Sequence, residues 1–334
     1  MSNLKEILTK RKICKSVWFM RQAGRYLPEF REIRSQNKNF INLCLDSELS
    51  SILTLQPIKR FDLDSSIIFS DILMVPYALN QKVDFIENKG PILEEFNFKK
   101  FLNNNKISFT QKINPVYKAI EKTRKKLDKN KSLIGFIGAP WTLLIYMLGA
   151  KESKKEINYK KIKTREIEIN LILDKIHHYL CVHIENQVNA GADVIQIFDS
   201  WAGLLLPEDL LNFCYIPNLK IVDFCKEKKI PVMCFPKGIG KNYKEFNNVV
   251  KPDGISLDYD VDPIWARENL SKVVLQGGLN PKLLLSDEKE IFSNAKKYLD
   301  IFKDVPYIFN LGHGLLPETD PVKVDKLVRF YREY

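Results

Sequence analysis

Residues 17–34 read V-W-F-M-R-Q-A-G-R-Y-L-P-E-F-R-E-I-R. The four apolar residues 17–20 have the length and composition of a short buried strand, which stops abruptly at Arg21. Gly24 supplies a turn, and Pro28 opens a segment carrying Arg31 and Arg34. Strand, turn and helix in this order form one repeat of an α/β protein. Guanidiniums placed straight after an apolar strand are costly unless an anion meets them. Arginine keeps its charge at any working pH, and its planar fork suits carboxylate or phosphate. Each arginine taken singly is open to two readings, a solvated loop or an anion ligand. Arg21 and Arg25 together, flanking a glycine at a strand end, favour an anion site.

The same unit recurs along the chain. Short apolar runs at 17–20, 66–69, 133–137, 194–198, 232–235, 254–257, 273–276 and 307–310 predict strands. They lack clean alternation, as strands buried on both faces should. Helical patterns cover 47–60, 115–127, 163–190, 207–228 and 288–302. Eight strand-then-helix units with right-handed crossovers predict a single-domain (β/α)8 TIM barrel over 1–334, with its active site at the C-terminal ends of the strands. Residues 79–114 contain no ninth unit and read as a small hairpin excursion.

Hydrophobic residues make up 45% of the chain and charged ones 28%, an ordinary globular profile with ample material for a core. The first residues, M-S-N-L-K-E-I-L-T-K-R-K, lack an apolar h-region, so no signal peptide is expected. No run approaches the eighteen or so apolar residues that a membrane span requires. The 6 cysteines are scattered without a C-x-x-C pair and read as reduced thiols of a cytoplasmic protein. A formal charge of +11 raises the question of nucleic acid. The lysines are spread along the whole chain, however, which suits compositional drift better than a binding face. A positive field of this size steers an acidic small substrate.

A barrel places chemistry just beyond each strand, so those positions should be unusual. They are Arg21, Asp71, Gly138, Ser200, Lys237, Asp258, Gly277–Gly278 and His313. Asp71 interrupts a nearly continuous apolar run from Ile67 to Val75, so its carboxylate must be paired, hydrogen-bonded or raised in pKa. It is either a cap or buried ion pair, or a lone acceptor in a hydrophobic cleft that receives ligand N–H groups and stabilises a cation. Gly138 and Pro140 build a tight strand-to-helix turn. Tyr146, further along that helix, suits core better than site on its own. Ser200 follows Phe198 and Asp199. It lacks the G-x-S-x-G setting of a nucleophile and suits a hydrogen-bond donor. Gly238, Gly240, Gly277 and Gly278 read as turn residues, and Asp258 and Asp260 as caps. His313 between two glycines is poorly protected for a core histidine and favours a site role; Asp320 and Pro321 cap the last helix. No metal is expected, because His177 and His178 point apart and no strand end gathers three ligands.

Taken in order, R-Q-A-G-R-Y-L-P-E-F-R, I-I-F-S-D-I-L, G-A-P-W-T-L, F-D-S-W-A-G, F-P-K-G, Q-G-G-L-N-P and L-G-H-G resemble the uroporphyrinogen decarboxylase family nearly end to end. The resemblance implies a barrel, a cofactor-free lyase of haem biosynthesis and a typical homodimer. It also implies a tetrapyrrole substrate, uroporphyrinogen III, whose four acetates become methyls to give coproporphyrinogen III and CO2. By the same resemblance Asp71 faces the macrocycle's inner N–H groups, and Arg21 and Arg25 meet substrate carboxylates. Arg21 is also favoured as a proton donor, and Arg34 is a further positive position. Tyr146, Ser200 and His313 bind carboxylates or assist, while Phe136 and Phe198 are apolar walls. The chain departs from the family's common Q-G-N-L-D-P at Gly278 and Asn280, and from its L-D-W at Tyr259. A cobalamin-dependent methyltransferase of similar fold would need a zinc-binding His-x-Cys pair where F-P-K-G stands. A non-catalytic tetrapyrrole or anion carrier would keep the arginines without needing Asp71.

Overall fold

A computed structural model of the chain describes residues 3–86, 90–153, 156–163 and 166–334. Its strands are β1 (Ser65–Ile67), β2 (Val83–Ile86), β3 (Gly90–Leu93), β4 (Ser132–Gly138), β5 (Val194–Asp199), β6 (Val232–Pro236), β7 (Gly254–Leu257), β8 (Val274–Gly277) and β9 (Tyr307–Ile308). Seven of them form one curled, all-parallel sheet in the order β1-β4-β5-β6-β7-β8-β9. β2 and β3 pair as an antiparallel hairpin, Val83 opposite Leu93, which is the excursion expected over 79–114. Its turn, residues 87–89, lies outside the described residues.

Helices cover the outside of the sheet, and the inside has its own packing. β6, β7 and β8 are buried at every position, which is why their sequences run apolar without alternating. Trp18, Ile134, Val194, Met233, Val274 and Ile308 meet inside the curl, together with Leu4, Ile7 and Leu8 of the helix Asn3–Lys10. A polar layer crosses this interior. The Trp18 indole N–H donates to Gln276 Oε1 at 2.8 Å, and Gln276 Nε2 donates to Ser256 Oγ at 2.7 Å and to Gln196 Oε1 at 3.3 Å. Each member of this layer has a partner, as the low local dielectric demands.

The strand expected over 17–20 is not an element of the sheet. Residue 17 makes one parallel bridge to Phe309, and its carbonyl accepts the Asp64 N–H at 2.9 Å, so the segment lies between the sheet's two outer strands. Side chains take the donors that a ladder would use. Val17 N–H donates to Asp64 Oδ2 at 2.7 Å, Phe19 N–H to Gln22 Oε1 at 3.2 Å and Met20 N–H to Asn310 Oδ1 at 3.1 Å. The helix expected over 207–228 is also broken. A 3₁₀ turn (Pro207–Asp209) and a π-helical stretch (Leu210–Tyr215) precede the α-helix Ile216–Glu227. Pro217 has no N–H with which to continue an α ladder backwards. The helix expected from 115 starts earlier, at Lys106, because Asn105 caps it and Pro115 is accommodated inside. The helix expected over 163–190 is Glu166–Asn189; residues 164–165 lie outside the described residues.

The loops after β5 and β6 touch backbone to backbone. A Cβ on Gly203 would stand 2.6 Å from the Gly238 carbonyl carbon, and Gly203 N–H donates to Lys237 O at 2.9 Å. No side chain can move aside to relieve that overlap. Gly203→Ala should therefore cost about 1–3 kcal/mol, as overpacking does. A thermal melt followed by circular dichroism should show a Tm lower by several degrees, and a wild-type Tm would mean that the two loops are not in firm contact.

Candidate active site

The groups that sequence reading singles out converge at the carboxyl ends of the parallel strands. Arg21 adopts φ +59, a left-handed conformation costly for a side chain of its size, and the surrounding turn is stitched to hold it. Met20 is fixed on both sides, its N–H by Asn310 and its carbonyl by the Leu315 N–H at 2.9 Å. Gln22 Nε2 donates to Ser65 O at 3.2 Å, and the Tyr26 hydroxyl donates to Gln22 O at 2.8 Å. The Arg21 side chain lies directly on Gly314, where a Cβ would overlap its Cγ and Cδ and come within 2.9 Å of Nε. Gly312, on the other side of His313, lets the chain pass the backbone of Asp258, whose carbonyl carbon a Cβ would approach to 2.8 Å. Both glycines of L-G-H-G are thus required by close approach.

Asp71 is half-buried at the opening of the helix Met74–Ala78. Its Oδ1 accepts the Leu73 N–H at 2.8 Å, and Oδ2 has no hydrogen-bond partner among the described residues. Both structural alternatives therefore hold in part: one oxygen organises a turn and the other remains available. Burial pushes the carboxyl up to about 6, against the pull of the Leu73 N–H and of Arg21. Arg21 is open to the mouth but crowded by the walls. That crowding draws its pKa below the ordinary arginine value, Asp71 opposes the fall and Arg25 adds to it. Tyr146, on the helix Pro140–Met147, is pushed up to about 12 by burial and then by Asp71. Gly138 allows this meeting, since a Cβ there would stand 3.0 Å from Ile72 Cβ. Burial lowers His313 to about 3, with Arg21 and Lys237 adding to the fall, so at neutral pH its imidazole is uncharged.

Phe136 and Phe198 pack edge to face at 5.8 Å, and Phe198 meets Phe235 in the same way at 6.4 Å. The apolar wall is thus a row across β4, β5 and β6, one ring longer than expected. Ser200 is half-buried beyond Phe198, and its hydroxyl has no hydrogen-bond partner among the described residues. Arg25 is exposed beside Arg21. Arg31 turns back onto the Arg25 and Tyr26 carbonyls at 2.8 and 3.0 Å, which uses it structurally. Arg34 is less central: its guanidinium is held by the Asn37 carbonyl and lies 5.8 Å from the Phe40 ring centroid. The buried Cys44 thiol is pushed up by burial and then by Asp71, and pulled down by Arg34.

Four features escape the sequence reading. Asp199, expected only as a neighbour of Ser200, is 1% exposed and accepts from Thr142 Oγ1 at 2.8 Å and Asn218 Nδ2 at 3.0 Å. It joins the Tyr146 helix to the β5 exit, and burial raises it to about 6. Trp201 packs on the Tyr146 ring at 5.9 Å, and the Lys151 ammonium stands 4.5 Å from a Trp201 ring centroid. The phenylalanine row ends on Phe235. Asp258 is not a helix cap: its Oδ2 crosses to Gly238 N at 2.7 Å and to the Tyr243 hydroxyl at 3.2 Å, and Asp262 caps the helix Pro263–Asn269 instead. Only the aromatic at 235 had a sequence signal, its two-residue step before Lys237; the other contacts join distant segments.

Among the described residues no three His, Cys, Asp or Glu side chains gather to hold a metal ion. No helix among them is long and apolar enough to cross a membrane. A cavity of about 590 Å³ lies elsewhere, at the amino ends of β1 and β4 beside Phe61, Asp62 and Lys131. Two of its cations are paired with carboxylates, Arg60 with Glu29 at 2.8 Å and Arg332 with Asp62 at 3.0 Å.

A family model described as Uroporphyrinogen decarboxylase (URO-D) matches residues 10–334. A uroporphyrinogen decarboxylase of Rickettsia bellii is 44% identical over 333 residues, covering 95% of this chain and 94% of that protein. Those of Orientia tsutsugamushi and Rickettsia conorii are 44% and 42% identical, each over 95% of this chain and over 94% and 93% of their own lengths. Among solved structures, a methyltransferase from Methanosarcina mazei superposes with a TM-score of 0.79 at 18% identity, over 99% of this chain and 97% of that one. A putative vitamin-B12 independent methionine synthase from Listeria monocytogenes superposes at 0.57 with 13% identity, over 96% of both chains. At such identities these two likenesses concern the fold alone.

The Asp71 carboxyl has a pH signature. Its folded pKa, about 6, lies above the ordinary 3.8, so the native state holds the proton more tightly than the unfolded chain does. Stability from this group is complete below about pH 4 and is lost as pH rises through 6. Asp71→Asn keeps an acceptor for Leu73 and removes the desolvated charge. It should be more stable than wild type at pH 7 by about 1–3 kcal/mol, with the gap closing at pH 4. Equal gaps in Tm at both pH values would refute this account of the carboxylate.

Proposed function

The chain belongs to the uroporphyrinogen decarboxylase family, and from that membership we propose that it converts uroporphyrinogen III to coproporphyrinogen III, releasing CO2 from four acetate side chains. The observation that carries this reading is Asp71, half-buried with one oxygen open to the mouth, within electrostatic reach of Arg21 and Tyr146. The macrocycle lies against the Phe136–Phe198–Phe235 row, and its pyrrole N–H groups donate to Asp71. Arg21 and Arg25 receive substrate carboxylates. Tyr146, Ser200 and neutral His313 hydrogen-bond further acid arms, and Arg34 adds positive potential nearby.

Each turnover begins with protonation of a pyrrole α-carbon, which creates an iminium-like cation next to an acetate-bearing carbon. The acetate C–C bond breaks, CO2 leaves and its electron pair flows into that cation. The methylene then takes a proton and the α-carbon gives one back, so one proton is consumed per CO2 released. The pyrrole itself accepts the electrons, a task usually given to a cofactor. At an effective dielectric near 20, a carboxylate about 4 Å from the cation contributes roughly 4 kcal/mol, about a thousandfold in rate. Arginine is effectively always protonated, so Arg21 serves best by orienting the acid, a substrate carboxyl or a water.

The same reading makes residues 17–20 the eighth stave of a closed (β/α)8 barrel. Its support is the pair of links from residue 17, to Phe309 on one side and Asp64 on the other. It also makes 1–334 one domain that works as a homodimer in the cytoplasm without metal or cofactor.

Anaerobic incubation with uroporphyrinogen, followed by chromatography of the oxidised products, should show the eight-carboxyl substrate giving way to the four-carboxyl product. Asp71→Asn should lose about a thousandfold or more in kcat/KM while remaining folded. Arg21→Ala should lose comparable activity, chiefly through substrate orientation. Near-wild-type turnover by Asp71→Asn would point to a carrier or another mechanism.

A further inference from the structure

Lys237 stands at the rim, in the turn that follows β6, whose Phe235 ends the aromatic row. Met233 and Phe235 of β6 pack in the inner cluster, and Lys237 opens the turn directly after the strand, its N–H donating to Phe235 O at 3.0 Å. Its backbone extends the β5–β6 ladder, with Lys237 N–H donating to Asp199 O at 3.1 Å. The Lys237 carbonyl accepts the Gly203 N–H at 2.9 Å, and the following Gly238 N–H is held by Asp258 Oδ2 at 2.7 Å. The residue is therefore anchored on both flanks, while its side chain is half-buried and close enough to act on His313 together with Arg21.

The placement of the other cations gives this lysine its meaning. Arg21 and Arg25 enter from the segment next to β1, whereas β6 is separated from β1 by β4 and β5. A flat ring resting on Phe136, Phe198 and Phe235 carries acid arms along all its edges. Guanidiniums on one edge alone would leave carboxylates on the other in a poorly solvated mouth without a countercharge, a costly arrangement. A flexible ammonium can follow an arm as the ring turns to present successive acetates.

We propose that Lys237 is a further substrate-binding residue, its ammonium receiving a side-chain carboxylate on the ring edge remote from Arg25. This rests on a polycarboxylated tetrapyrrole being the substrate, as read above. Its own backbone hydrogen bonds, which any side chain preserves, set its position.

The test compares wild type, Lys237→Gln and Lys237→Arg by three measurements. These are KM and kcat on uroporphyrinogen under anaerobic conditions, Kd for coproporphyrin by fluorescence titration at low and high salt, and Tm. Lys237→Gln should raise KM and Kd about tenfold, the loss of one charge-assisted hydrogen bond, with a much smaller change in kcat. Its Kd should also depend less on salt. Lys237→Arg should recover most of the affinity, and all three proteins should melt together. Unchanged KM and Kd in Lys237→Gln would overturn the assignment. So would a loss that accompanies a lower Tm and is not recovered by arginine. The porphyrin titration needs no turnover, so the two readings fail separately. A wild type that binds coproporphyrin through Lys237 yet releases no CO2 sinks the reaction and leaves the subsite standing. A wild type that turns over while the Lys237 variants behave identically sinks the subsite alone.

Discussion

A half-buried carboxylate and a guanidinium open to the mouth act on each other at the carboxyl ends of the strands, and the rest of the molecule keeps them in place. Burial pushes Asp71 upward and Arg21 downward in pKa, and each opposes the other's shift. Among the described residues neither has a hydrogen bond that would consume the pair as a structural ion bridge. A buried charge left open in this way costs stability, and it is tolerated where charge must develop during reaction. The two charges are thus held in tension, each shifted from its ordinary value by burial.

Holding that tension requires a rigid frame, and the frame is made largely of side chains bonded to backbone. Asp64, Gln22 and Asn310 each take an N–H from residues 17–20 that a neighbouring strand would otherwise have accepted. The segment is thereby freed from strict strand geometry, and Arg21 can bend into the left-handed region and lie on Gly314. A continuous ladder would have carried the chain straight on, past the mouth. On the far wall Asp199 works similarly, fixing the Tyr146 helix to the β5 exit through Thr142 and Asn218.

The floor and the rim divide the labour of recognition. Three phenylalanines in a row give an apolar surface that excludes water and strengthens every electrostatic interaction above it. The cations around it differ in kind: arginines with fixed forks on one edge, a lysine on the other, and an uncharged histidine between them. Under the proposed function, a ligand seated there is selected by shape below and by the spacing of its acid groups above.

Much of this was legible in the residues themselves. Local chemistry marks Asp71 as anomalous in an apolar run, puts Arg21 directly after an apolar segment, and makes Asp320 a cap, because each signal lies within a few residues of sequence. The repeating strand-and-helix unit likewise foretold a parallel sheet. The segment 17–20 looked like an ordinary strand, since apolar composition says nothing about where its N–H groups will be spent. The break at Pro217, the crossing of Asp258 to Gly238 and the buried Asp199 node were hidden for the same reason: each depends on a partner brought near only by folding. Sequence alone determined which residues carry charge and roughly where the chain turns. Only the tertiary structure decided which of those charges lose their water and face one another, because desolvation and distance belong to the packed molecule and not to the order of its residues.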